Sequence, residues 1–142
     1  MDFSGLYKKL KALKIEKLID RAVLLNKEEI IDANTAQLSK GLRSDGSEIS
    51  PGLANPFYAK EKKSSGGKAP LGVPDLKDEG DFYEGFYLES DSDGFEIGSK
   101  DSKESALQGK YGDKIFGLSD QSKENLKPQI TEELITLIKE QL

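Results

Sequence analysis

The 142-residue chain contains neither histidine nor cysteine. That removes the Ser-His-Asp triad, the cysteine nucleophile, imidazole acid–base catalysis and the conventional zinc site, leaving chemistry to carboxylates, lysines, tyrosines and hydroxyls. The densest candidate set is Asp75, Asp78, Glu79, Asp81 and Glu84. Carboxylates so grouped suit a general acid and base pair or a hard cation. Nothing around them fixes a geometry, and a solvated acidic loop is the simpler reading. Asp91-Ser92-Asp93-Gly94 opens like a calcium loop but lacks the third oxygen position and the distal glutamate, so it reads as a hairpin turn. Gly66-Gly67-Lys68-Ala69 suggests a phosphate loop, yet Lys62 stands where the first glycine belongs and Ala69 where the magnesium hydroxyl belongs. Tyr58, Phe82, Tyr83, Phe86, Tyr87 and Tyr111 could stack bases, but their surroundings are negative. A packed core with a protein-contact surface is the better use for them. No enzymatic activity, cofactor or metal is expected.

Charge is unevenly spread beneath the net value of -5. Residues 1–43 carry nine basic against six acidic side chains, whereas residues 75–104 carry eleven acids against three lysines. An acidic stretch of this density repels phosphates and argues against specific nucleic-acid binding. The basic N-terminal lysines read as the solvated side of a helix. With 35% hydrophobic and 33% charged residues, the core should be modest and the loops long. There is no apolar run near ~18 residues, and Met1-Asp2-Phe3-Ser4 followed by lysines resembles no signal peptide. A soluble cytoplasmic protein is expected, and the missing cysteines fit a reducing compartment.

The elements that must position these residues can be read from periodicity. Leu6, Leu10, Leu13, Leu18, Ile19, Ala22 and Val23 predict one amphipathic helix over 4–24, capped by Ser4. Asn26 with Glu29 three residues later is a capping-box-like start for a second helix, with Ile30, Ile31, Leu38 and Leu42 on its stripe and Gly41 as a left-handed end. Residues 43–75, punctuated by Gly and Pro and rich in Lys and Ser, predict a long polar arm. Alternation from Phe82 to Leu88, a turn at 91–94 and renewed alternation at Phe95 and Ile97 predict a β-hairpin. A short helix over 101–110, a short strand at Ile115-Phe116 and a closing helix over 119–142 complete the chain. Pro128 either kinks that last helix or marks the start of its main part. The expected fold class is α+β: a single domain (1–142) with an antiparallel hairpin-based sheet packed against two or three helices. Its parts are a helical 1–42, the arm 43–75, a sheet region 76–118 and the C-terminal helix.

Several short motifs, in order from about residue 28 to the end, resemble the phage virion morphogenesis family, the tail-completion or head–tail joining proteins of tailed bacteriophages. Ser44-Asp45-Gly46 through Ile49-Ser50-Pro51, before the basic segment Phe57 to Lys63, is similar to a Pro-Asp-Gly turn leading to Leu-Ser-Pro. Leu76 to Phe82 resembles the family's entry to its first strand, with Glu79 where Thr or Ser is usual. Gly94-Phe95-Glu96-Ile97-Gly98-Ser99 looks like the second strand, and Ala106 to Gly112 like a segment that in the family carries a His absent here. Ile115-Phe116-Gly117-Leu118-Ser119-Asp120 is similar to the strand-to-helix junction and is the most specific piece.

The resemblance implies a non-enzymatic structural protein of the virion head–tail junction, made in the host cytoplasm. It would form a homo-oligomeric ring that joins the portal or adaptor to tail proteins, with DNA passing through. Tail terminator and head-completion stopper are neighbouring readings, and a soluble cytoplasmic protein-binding module is the alternative from another class. The residues expected to carry such a role are interfacial: Phe57, Tyr58, Lys60, Lys62 and Lys63 on the arm, with Asp81, Tyr83 and Tyr87 at the strand. Ile115, Phe116 and Leu118 are expected in the core.

Overall fold

The computed structural model describes residues 3–77, 80–91 and 94–142. Asp78 and Glu79 of the acidic cluster and the centre of the 91–94 turn lie outside the described residues. The elements run α1 (Ser4–Ala12), α2 (Ile15–Leu25), α3 (Lys27–Ser39), α4 (Pro56–Ser64), α5 (Asp81–Glu84), β1 (Phe86–Asp91), β2 (Gly94–Ser99), α6 (Glu104–Tyr111), a 3₁₀ turn (Asp113–Ile115) and α7 (Asp120–Gln141). This is an α+β fold in which the antiparallel β1–β2 hairpin packs against helices.

The single helix expected over 4–24 is two. Leu13 adopts an extended backbone (ψ 133°), and only the second half finds a packing partner: Leu18 and Ala22 bury against Leu137 of α7, while α1 buries no residue. Helical stripes become core where tertiary packing receives them. Ser4 lies within α1 rather than before it, the N-cap position falling to Phe3. Asn26 does not close a capping box either. It is buried, its Nδ2 donates to the Ala22 carbonyl at 2.8 Å and its Oδ1 accepts from Gln129 Nε2 at 2.8 Å. The amide thus ties the α2–α3 corner to α7.

Gly41 ends α3 as expected, at φ +77°. The following arm is more structured than its composition suggests. Arg43 gathers it: Nε donates to the Tyr111 carbonyl (2.9 Å), Nη1 to the Glu48 carbonyl (2.8 Å) and Nη2 to the Ser50 carbonyl (2.8 Å). Asn55 then caps α4, its side-chain oxygen accepting the Phe57 and Tyr58 N–H groups at 2.9 and 3.3 Å, with Pro56 in the first turn where no N–H is needed. Gly66 N–H donates to the Lys63 carbonyl and Gly67 N–H to the Lys62 carbonyl, the paired bonds of a Schellman helix end. The glycines that mimic a phosphate loop are therefore the stop signal of α4.

The strand expected from Phe82 starts later. Residues 81–84 form one helical turn between Gly80 at φ +91° and Gly85, and β1 begins at Phe86. In the hairpin Phe86 pairs with Ser99, Leu88 with Ile97 and Ser90 with Phe95. Phe86, Leu88 and Ile97 face the core with Ile30, Leu38, Ile49, Phe82, Tyr111, Ile115 and Leu118. Phe82 and Phe86 meet edge to face at 5.1 Å between centroids, and Phe86 lies 5.4 Å from Phe116, geometry favourable for aromatic rings.

Ile115-Phe116 is not a strand. Gly112 and Gly117 at φ +94° and +113° bend the backbone on either side, and its polar groups are taken by side chains of α3 instead of a sheet partner. Asn34 Nδ2 donates to the Ile115 carbonyl (3.0 Å) and its Oδ1 accepts from Gly117 N–H (2.9 Å). Gln37 Nε2 donates to the Gly117 carbonyl (2.9 Å), while its Oε1 accepts from Ser119 N–H (2.8 Å) and the Ser122 hydroxyl (2.7 Å). Ser119 caps α7 by accepting the Ser122 N–H at 3.2 Å. Because that cap starts the helix, Pro128 marks no beginning: α7 runs through it, with the ring on the exposed side.

Candidate functional site

The residues expected to form one interface occupy three different environments. On α4, Phe57 is 83% exposed and Lys60 is also exposed, so both project from the arm. Tyr58 is partly covered, with Lys62 Nζ 5.6 Å from its ring centroid. Lys62 points back toward the body, pairing with the Asp75 carboxylate and donating to the Lys77 carbonyl at 2.8 Å. Lys63 Nζ donates to the carbonyls of Gly67 (3.3 Å) and Ala69 (3.1 Å). These two lysines fasten the arm.

Tyr83 joins the same fastening. Its hydroxyl donates to the Asp75 carbonyl oxygen and its ring stands 6.1 Å from Phe86. Burial pushes the phenol well above its ordinary range, and the Asp75 charge adds to the shift, so it stays a protonated donor. Asp75 thereby holds Lys62 with its side chain and Tyr83 with its main chain. The adjoining Leu76 sits at φ +57°, a conformation non-glycine residues adopt at a cost. Asp81 is exposed at the start of α5, on the rim of a 280 Å³ cleft also lined by Tyr58, Lys62 and Asp75. Phe57, Lys60 and Tyr87 do not line it.

Tyr87 belongs to the outer face of the hairpin. Its ring covers Gly98, where a Cβ would come within 2.6 Å of the phenol oxygen. Partial desolvation, then Glu104, Glu89 and Glu96, push its hydroxyl upward, a local sign of negative field. Glu89 lies directly opposite Glu96 in the register, an arrangement that costs hairpin stability. Among the described residues no group of three acidic side chains is placed to hold a metal ion, and no helix is long and apolar enough to cross a membrane.

One exposed apolar surface lies apart from the residues expected at the interface. Phe3, Leu6, Tyr7 and Leu10 are 64, 41, 59 and 46% exposed. In the sequence Leu6 and Leu10 read as part of a core stripe, and Phe3 and Tyr7 lie beside them. The opposite error concerns Asn34 and Gln37, which share the buried face of α3 with Ile30 and Leu38. Polar residues on an apolar stripe were the available signal. No family model, curated protein or solved structure matches the chain.

Proposed function

We propose that this protein is a structural virion component of a tailed bacteriophage, a head–tail connector or tail-completion protein that acts as a ring between portal and tail. The observation that carries the reading is the meeting of two motifs behind the family resemblance. The Ser44-Asp45-Gly46 turn and the Ile115–Asp120 junction adjoin: Ser44 N–H donates to the Lys114 carbonyl at 2.8 Å, and Lys114 Nζ lies 3.4 Å from Asp45 Oδ2. These segments, some seventy positions apart in sequence, support one another within one scaffold. The scaffold leaves Phe57 and the α1 stripe at the surface, as a protein that works by contact requires.

A cryo-EM reconstruction of the neck of virions carrying this sequence tests the reading. A ring of density between portal and tail that accepts the α+β body supports it and gives the copy number. Density at the tail end alone would identify a terminator, and absence from virions would leave a cytoplasmic binding or assembly module.

A further inference from the structure

Helix α1 is nine residues long and buries none of them. Phe3, Leu6, Tyr7 and Leu10 follow the three- and four-residue spacing that aligns side chains along one helical stripe, and all four are exposed. Lys8, Lys9, Lys11 and Lys14 surround that stripe. Within the chain, Lys9 Nζ reaches the Leu142 carbonyl at 2.8 Å and Lys11 Nζ stands 5.0 Å from the Tyr7 ring, contacts that leave the apolar face open. A helix shorter than ~12–15 residues gains little stability in water unless its apolar face is covered.

Charge selects what covers it. Residues 1–25 hold six basic and three acidic side chains, whereas residues 26–142 hold fifteen basic and twenty-three acidic ones. Pairing two α1 helices about a two-fold axis would oppose like charges. An anionic bilayer would attract the lysines but repel a body of net charge -8. That same body attracts the helix.

The chain itself presents a matching surface, a 610 Å³ cleft between α3 and β1. Glu28 and Asp32 of α3 with Glu84 and Glu89 of the hairpin side outnumber Lys27 and Lys100 around it, and Ile31 and Tyr87 supply apolar surface. We propose that α1 of one copy docks its Phe3–Leu10 stripe into the acidic α3–β1 cleft of the next copy, joining protomers head to tail. The proposal rests on the ring reading above and names its two surfaces. Because the surfaces differ, every protomer uses both, and repetition yields a ring when the rotation closes.

Sedimentation velocity of the full chain over a concentration series, at low and raised salt, tests the docking. The native chain is expected to associate with rising concentration and to lose association in salt. Lys8→Glu/Lys11→Glu on α1 and Glu28→Lys/Glu89→Lys on the cleft should each weaken it by about tenfold or more. Mixing the two variants should restore it, since each then offers the complement of the other. Circular dichroism of both variants separates lost docking from lost folding. Association unaltered in both variants would overturn the docking while leaving a ring built from other surfaces. A native chain that stays monomeric at every concentration, or floats with phosphatidylserine vesicles through α1 instead, would overturn it too, and the neck density would then decide the connector reading alone.

Discussion

The carboxamide oxygen of Asn34 accepts the Gly117 N–H at 2.9 Å across 83 positions of sequence, while its nitrogen donates to the Ile115 carbonyl at 3.0 Å. Asn34 is fully buried, so water cannot replace either bond. Asn34→Leu keeps the forked outline of the side chain but strands a carbonyl and an N–H. The expected cost is about 2–4 kcal/mol, read as a lower urea midpoint with an unchanged slope. A loss below about 0.5 kcal/mol would mean that the 115–117 backbone finds other partners.

The contrast between Asn34 and Leu38 shows what could be read in advance. Leu38 and Ile30 declared a buried stripe through spacing alone, and so did Phe86, Leu88 and Ile97 on the hairpin. Asn34 sits on that same stripe, but which backbone it serves depends on a bend made by Gly112 and Gly117 far along the chain. The extra helix in the arm was locally encoded, since Asn55-Pro56 is a cap followed by a first-turn proline. Its Gly and Ser neighbours masked it. The site residues were least legible because lysines look alike in sequence: Lys60 faces solvent, whereas Lys62 and Lys63 bond inward. Asp75, folded back onto α4, sets Lys62 apart, and the Gly67 and Ala69 carbonyls beyond the helix end set Lys63 apart.

Gly41 should tolerate no side chain. It combines φ +77° with a close approach, for a Cβ there would lie 2.5 Å from Val73 Cγ1. Gly41→Ala should cost about 1–3 kcal/mol. Val73→Ala in the same chain removes the collision but not the left-handed backbone, so it should recover part of the added loss. A double-mutant cycle in urea measures the coupling, and strict additivity would deny that the two positions touch.

Asp45 should titrate abnormally low. Its Oδ1 accepts the Ser47 hydroxyl at 2.6 Å and the Ser47 N–H at 2.9 Å, and Lys114 assists from 3.4 Å. These donors favour the ionised form and bring the pKa from 3.8 to about 2. A folded pKa below the unfolded one means stabilisation that is complete above the unfolded value and fades as pH falls from about 4 toward 2. Carbon-detected NMR should place the Asp45 midpoint near 2, and Ser47→Ala should raise it more than Lys114→Ala. An equal effect of the two substitutions would contradict the dominant role of Ser47.

Lys62 should act as the fastener of the arm. Its ammonium pairs with Asp75 where the two side chains retain 21 and 14% exposure, between the open-surface and fully buried cases. Lys62→Met removes the charge, keeps most of the aliphatic stem, and leaves a largely covered carboxylate with the Lys77 N–H but without its cation, at an expected cost of about 1–3 kcal/mol. The damage should be local, because Asp75 also positions Tyr83 through its carbonyl but contributes nothing to the Asn34–Gly117 contact. Hydrogen exchange should therefore quicken across 56–77 while the amide of Gly117 keeps its protection. Lys60→Met, on the exposed side of the same helix, should leave both unchanged. Equal effects from the two substitutions would show that the loss of positive charge, and not the Asp75 pair, loosens the arm.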